Sequence, residues 1–256
     1  MPPFVKRNPA APNGFFECEA AGLRWLAAAE SGVPCVEVIG HDATSLTLQR
    51  LDGVAPDRVS AREFGGRLAR THDAGAAAFG AAPDGWGGPG FFGPMSHPLP
   101  MALTGHASWG TFYADERLAS MAALVGPRLD GTLRRDLDAV MMRCRKGDFD
   151  DDADRPARIH GDLWGGNLVW TRRGVVLIDP AAHGGHRETD LAMLALFGCP
   201  FLDEVLAGYH DVRPLRPGWP ERIGLHQLYP LLAHVALFGC SYVKSTSAAI
   251  SSALAI

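Results

Sequence analysis

The chain has 256 residues, enough for one large domain or two small ones and long enough to bury a sizeable core without staples. Apolar residues make up 47% and charged residues 20%, which excludes a disordered chain, and the net charge of −4 gives no electrostatic reason to expect nucleic acid or an acidic membrane as partner. No uninterrupted apolar run approaches the ~18 residues of a membrane span, and the segment MPPFVKRNPAAPNG lacks the apolar stretch of a signal peptide. The scattered cysteines Cys18, Cys35, Cys144, Cys199 and Cys240 fit reduced, buried thiols of a cytoplasmic protein better than a disulfide or zinc framework.

Phe4-Val5-Lys6 reads as a short strand. Phe16, Ala20, Leu23 and Ala27 recur at helical spacing, which predicts a helix over about 15–30 ended by Gly32 and Pro34. Cys35–Ile39 and Ser45–Gln49 read as antiparallel strands around a turn at 41–44. A break at Leu51-Asp52-Gly53 divides a small lobe, 1–52, from a larger one, 53–256. Ser60 and Glu63 have capping-box spacing, so a helix is expected over 61–73. Residues 75–105 are rich in Gly and Pro and punctuated by Trp86, Phe91 and Phe92, which marks a functional or mobile loop.

Helices follow over 107–124 and 131–145, the second burying Leu133, Leu137, Val140, Met141 and Cys144. The acidic run Asp148, Asp150, Asp151, Asp152 and Asp154 lacks the Gly and the closing Glu of a calcium loop and reads as a solvated loop. Ala157–Ile159 is a strand. Leu168–Trp170 and Val175–Ile178 form a strand pair turning at Arg172-Arg173-Gly174. Residues 188–254 look helical throughout.

The chemistry concentrates in His160-Gly161-Asp162-Leu163-Trp164-Gly165-Gly166-Asn167 and in Leu177-Ile178-Asp179-Pro180. Phosphoryl transfer needs a carboxylate beside the attacking hydroxyl, and a second carboxylate with a side-chain amide to hold the magnesium that bridges the nucleotide phosphates. Asp162, Asn167 and Asp179 supply that set, because the intervening hairpin folds Asp179 back towards Asn167. Protein-kinase catalytic loops share this logic. Trp164 is either a wall of the acceptor pocket or a surface-packed aromatic.

Upstream, Lys6 on a strand and Glu19 on the first helix provide a lysine for the α/β-phosphates and a glutamate to hold it. Gln49-Arg50-Leu51 falls at the hinge between lobes, where backbone groups of Gln49 and Leu51 would meet the adenine. His160 reads as a structural loop residue. Asp190 opens a helix and reads as support for the catalytic loop. Arg187 and Glu188 are candidates either for substrate contact or for a surface ion pair.

HGDLWGGNLVW, LIDPAAHGGHRETDLAMLALFG and GWPERIGLHQLYPLLAHVALFG resemble the signature blocks of the fructosamine/ketosamine kinases, within the aminoglycoside-phosphotransferase-like, protein-kinase-like superfamily. Phe4-Val5-Lys6, FECEAAGL (17–23 with Phe16), LARTH and FYADERL match weaker blocks in the same order, so the resemblance covers nearly the whole chain. It implies an α+β, protein-kinase-like two-lobed fold, with a truncated β-rich N-lobe and a mainly helical C-lobe. It implies ATP- and Mg²⁺-dependent phosphorylation of the sugar 3-hydroxyl of a ketosamine, a fructosamine or ribulosamine on a free amine or a protein lysine, which reverses glycation. By position, Asp162 is then the base, Asn167 and Asp179 the magnesium ligands, and Lys6 with Glu19 the phosphate-positioning pair.

The family's small lobe begins with two strands and a Gly-containing phosphate loop ahead of the Phe-Val-Lys strand, whereas this sequence starts at that strand. An open strand edge and weakened Mg-ATP binding are therefore expected. Two other readings stand beside this one. The first is another small-molecule kinase of the superfamily, acting on an aminoglycoside, choline or homoserine. The second is a non-catalytic nucleotide-binding protein. Phosphate transfer to a fructosyl amine against those alcohols separates the first, and nucleotide binding with and without magnesium the second.

Overall fold

Strand β1 (Phe4–Arg7) lies antiparallel to β3 (Ser45–Leu48), which lies antiparallel to β2 (Val38–Asp42). The order β1-β3-β2 leaves β1 at a sheet edge, with Phe4 and Val5 exposed. This is a computed structural model, and it describes residues 2–151 and 153–256. Leu46 and Leu48 of β3 turn inwards onto Phe16, Ala20 and Leu23 of helix α1 (Phe15–Ala27) and form the small N-terminal core. Each large apolar side chain buried there contributes ~1.5–3 kcal/mol over leaving it exposed.

Two expectations for this part shift. Helix α1 stops at Ala27, ahead of the predicted end, and Ser31 then takes a left-handed φ of 55°. Strand β2 begins at Val38 rather than Cys35, because Pro34–Val36 pairs elsewhere. The Leu177 N–H donates to the Pro34 carbonyl at 2.9 Å and the Val36 N–H to the Leu177 carbonyl at 3.0 Å. That pairing ties the first lobe to the hairpin of β7 (Leu168–Thr171) and β8 (Gly174–Leu177), which the sequence places well.

Helix α2 (Arg58–Asp73) is capped by Asp57, not by the expected Ser60/Glu63 box. The Asp57 carboxylate accepts from the Ser60 N–H at 2.9 Å and from its hydroxyl at 2.7 Å, while Glu63 pairs with Arg67. An Asp at the N-cap satisfies the third orphan N–H, so Ser60 becomes the recipient of the cap. Helix α7 (Leu202–Val212) packs on α2 backbone to backbone. A Cβ on Gly65 would run into the Val205 carbonyl, and one on Gly208 into that of Arg62.

The Gly/Pro-rich segment 75–105 is not a plain loop. Its base is closed by paired backbone hydrogen bonds between Phe79 and His106, at 3.1 and 2.7 Å. Its tip is an antiparallel hairpin of β4 (Gly90–Phe92) and β5 (Leu99–Met101). The hairpin touches both lobes: Phe91 meets Phe15 edge-on at 5.4 Å, Phe92 meets Tyr229 at 4.9 Å, and the Asn8 side chain donates to the Met95 carbonyl at 2.9 Å.

The predicted 107–124 helix is interrupted. Helix α3 (Trp109–Phe112) passes through a π-helical turn (Tyr113–Leu118) into α4 (Ala119–Val125). Helix α5 (Gly131–Arg145) follows at the predicted place, with Asp130 capping it and Leu137, Val140, Met141 and Cys144 buried; Leu133, expected in the same stripe, lies in the first turn and is only half-buried against the core. The acidic run is more than a solvated loop. Asp150 accepts from the Gly110 N–H at 2.8 Å, and Asp151 and Asp154 both pair with Arg216. Asp152 lies outside the described residues.

Strand β6 (Ala157–Ile159) pairs with a strand the sequence does not signal, β9 (His183–Gly185). The segment after Gly185 is four α-helices rather than a continuous run: α6 (Arg187–Phe197), α7, α8 (Trp219–Phe238) and α9 (Val243–Ala255). Gly198 and Gly239 end α6 and α8 at φ of 84° and 81°, where other residues are strained. Trp219–Ala255 has the length and hydropathy of a membrane span, yet half of its apolar window is buried against the rest of the chain, as in a core helix. All five cysteines are free thiols, but only Cys144 is buried.

Candidate active site

Between β6 and β7 the chain must turn sharply, and Gly161 makes this possible. Its φ is 81°, and a Cβ there would collide with the Ala181 carbonyl. The turn is fixed from behind by Asp190 at the start of α6. Its carboxylate accepts from the His160 N–H at 2.8 Å and the Gly161 N–H at 3.0 Å. The same carboxylate accepts from His72 Nε2 at 3.2 Å, and the Tyr209 hydroxyl meets His72 Nδ1 at 2.8 Å. Burial alone would raise the Asp190 pKa; His72 and His160 outweigh that and hold it lowered.

His160 is spent on the loop itself. Its Nε2–H donates to the Ile178 carbonyl at 2.9 Å, and its Nδ1 accepts from the Asp162 N–H at 3.2 Å. Burial pushes its pKa below the ordinary value, so it is a neutral brace, as the sequence suggests.

Asp162, Asn167 and Asp179 converge as predicted. The Asn167 amide donates from Nδ2 to the Asp162 carbonyl at 2.8 Å, to its carboxylate at 3.3 Å and to the Asp179 carbonyl at 3.4 Å. These bonds all use the nitrogen and orient Oδ1 away from them. Burial pushes the Asp162 carboxyl up to about 7, reinforced by Asp179 and Asp190 and opposed by the Asn167 hydrogen bond. Asp179 adopts a left-handed φ of 56° directly after the β7–β8 hairpin. That conformation costs ~1–2 kcal/mol outside glycine.

Lys6 completes the cluster. Its Nζ lies 2.7 Å from Glu19 Oε1 and 2.7 Å from Asp179 Oδ1. Burial would lower the Lys6 pKa, but the Glu19 and Asp179 carboxylates outweigh it and keep the ammonium charged. Thus β1, α1 and the β8 end, far apart in sequence, are joined through one cation.

These residues line a cleft of about 860 Å³ between the first lobe and the helices. Trp164 is 40% exposed and stands on the cleft wall, edge-on to Phe197 at 6.4 Å. Phe197, His234, Phe238 and Tyr242 extend that wall and were not singled out by the sequence. A signal was present: Phe197-Gly198 and Phe238-Gly239 each place an aromatic at a helix C-terminus, where a core residue has little to fill.

Four predicted positions fall elsewhere. Gln49 and Leu51 do not line the cleft, and the Gln49 N–H already donates to the Glu37 carbonyl at 2.9 Å. Arg187 is turned away, donating to the Arg213 and Pro214 carbonyls. Glu188 is fully buried, held by Arg222 at 2.6 and 2.8 Å, with His226 at 3.5 Å. Burial alone would raise its pKa, but His226 and Arg222 hold it well below the usual carboxylate range. It is neither a substrate contact nor a surface pair. The reason is helical phase: it sits on the face of α6 that packs against α8.

Residues 2–256 match the family model described as fructosamine kinase. The chain belongs to the fructosamine kinase family. It is therefore a phosphotransferase acting on a sugar hydroxyl. A "Probable ketoamine kinase" of Enterococcus faecium is 32% identical over 241 residues, 93% of this chain and 83% of that protein. A crystal structure from Thermobifida fusca named "putative fructosamine-3-kinase" superposes with a TM-score of 0.90 at 42% identity, covering 99% of this chain and 86% of that one. A choline kinase from Streptococcus pneumoniae, at 15% identity and a TM-score of 0.62 over 98% and 85% of the two chains, shows the protein-kinase-like fold alone.

Proposed function

We propose that this family member phosphorylates the sugar hydroxyl of ketosamines, such as fructosamines or ribulosamines on a free amine or a protein lysine, with ATP as donor, in deglycation repair in the cytoplasm. The observation that carries the reading is the Lys6 ammonium, held at 2.7 Å by Glu19 and at 2.7 Å by Asp179 on the cleft that also contains Asp162 and Asn167. The lobe boundary is read at residues 52–53, so Lys6 and Glu19 come from one lobe and the other three from the second.

In this reading Asp162 orients the acceptor hydroxyl and takes its proton. A carboxylate titrating near neutrality is well matched to that task, since it is substantially ionised at working pH yet basic enough to accept. Asn167 fixes Asp162 by its side-chain nitrogen, which leaves Oδ1 outside those bonds as a ligand atom in a residue that lines the cleft. The Asp179 carboxylate and that Oδ1 are hard oxygen donors and fit Mg²⁺, which when bound supplies charge neutralisation at the nucleotide phosphates. Lys6 is positioned to pair with phosphate oxygens, and Glu19 keeps it there. Trp164 forms the acceptor-side wall next to Asp162. Asp190 and His160 hold the loop and take no part in proton transfer.

The test is transfer of ³²P from ATP to fructosyl-lysine and ribulosyl-lysine in the presence of Mg²⁺, against kanamycin, choline and homoserine. Phosphorylation of a ketosamine in preference to those alcohols is the expected result. Nucleotide binding without transfer to any ketosamine, or preference for one of the other alcohols, would overturn the proposal.

A further inference from the structure

We infer that the aromatic wall at the C-terminal ends of α6 and α8 receives the amine-borne substituent of the acceptor, and that it selects ketosamines carrying a flat, apolar substituent. The inference rests on the ketosamine reading of the cleft and goes beyond it by naming which ketosamines are preferred.

The wall is continuous. From Phe197 the rings step to His234 at 4.6 Å, and from His234 to Tyr242 at 4.9 Å and to Phe238 at 5.3 Å. Leu237 lies beside them in the same cleft. Phe238 is 55% exposed, a large apolar side chain left open at a cavity rim. Exposed apolar surface that adjoins a pocket marks a contact site rather than idle surface.

The charge distribution agrees. Among the described residues, the acidic side chains lining the cleft are Glu19, Asp162 and Asp179, all within the Lys6 cluster. The wall carries none. His234 adds no charge: its Nδ1–H donates to the Pro230 carbonyl at 2.7 Å, and burial lowers its pKa. A substituent with several ammonium groups would lose hydration there and find no carboxylate to repay it. A single ketosamine ammonium close to the sugar can instead rest against ring faces.

In the ketosamine reading the reacting hydroxyl approaches Asp162 and Lys6 faces the phosphates. Trp164, two residues from Asp162 on the same loop, meets Phe197 edge-on at 6.4 Å, so the aromatic wall starts beside the acceptor and is open to the substituent the amine carries.

The experiment uses fructosyl adducts of methylamine, glycine, benzylamine and spermine, with the whole chain as enzyme. Benzylamine adducts are expected to have a kcat/KM at least ~10-fold above the methylamine adduct, and the spermine adduct to fall below it. Phe238→Ala is expected to shrink the benzyl-to-methyl ratio at least ~5-fold, and Phe238→Tyr to retain it. Because Phe238 is half exposed, neither change threatens folding. Equal kcat/KM for methyl and benzyl adducts, or a ratio unmoved by Phe238→Ala, would overturn the inference while leaving the ketosamine reading intact. Phosphorylation of none of the adducts would overturn both.

Discussion

Two sets of carboxylates, in front of and behind one loop, differ in how their oxygens are used. In front, Asp162 and Asp179 face the cleft; Asp162 takes a single weak side-chain hydrogen bond, and Asp179 is 40% exposed beyond its contact with Lys6. Behind, Asp190 is satisfied by His72 and two backbone N–H groups, and Glu188 by Arg222 and His226. Burial acts on both sets. It raises the Asp162 pKa to about 7, yet Asp190 and Glu188 are lowered, because their partners outweigh desolvation. The contrast teaches that an acidic residue in a signature block earns a chemical role only if its oxygens remain available.

The largest effect that would break this comparison is on stability. Glu188→Ala leaves Arg222 buried without its partner and is expected to cost ~3–5 kcal/mol, read as a lower denaturation midpoint. A variant as stable as the parent would show that Glu188 is not a structural anchor. Next comes the cleft. Asp179→Ala is expected to weaken Mg-nucleotide binding at least ~100-fold, about 2.8 kcal/mol, by calorimetry. Asn167→Ala is expected to weaken it about tenfold, since a neutral amide contributes less charge. Parent-like binding by both would reduce these residues to turn formers.

A subtler test uses pH. Asp162 must be ionised to accept a proton, so kcat/KM should fall as pH drops through about 7 and level off above it. Removing the Asn167 hydrogen bond, which favours the ionised form, should move that limb to higher pH. A flat profile between pH 6 and 8 would count against Asp162 as the base. The smallest effect is at Arg187, whose guanidinium bonds the Arg213 and Pro214 carbonyls and lies 6.0 Å from the Tyr209 ring, away from the cleft; Arg187→Ala should leave KM for the acceptor unchanged within about twofold and stability within ~1 kcal/mol.

Much of the site was legible because its spacing is local. Asp162, Asn167 and Asp179 are held by one turn and one hairpin, and both declare themselves through Gly and alternating apolar residues. Lys6 and Glu19 were legible only as a pair placed ahead of that motif. What stayed hidden depends on tertiary packing. Glu188 and Arg187 are neighbours in sequence, but helical phase sends one into the core and leaves the other half-buried against the Arg213 and Pro214 carbonyls. Phe197 and Phe238 have the apolar character of core residues, and only the ends of α6 and α8 turn them towards the cleft. The hairpin tip at 90–101 was masked by the Gly and Pro that form it, and Asp57 by the Ser/Glu spacing three residues on.

The most direct test of the account pairs two readouts on one variant. Asp162→Asn keeps the shape of the side chain and removes its basicity, so kcat for ketosamine phosphorylation should fall by ~10²–10⁴. Thermal stability should match or exceed the parent's, because burial disfavours the ionised Asp162 carboxylate that Asn replaces, and Mg-nucleotide affinity should stay at the parent's level. Near-normal turnover in this variant, or a loss of activity that merely follows a loss of stability, would contradict the account.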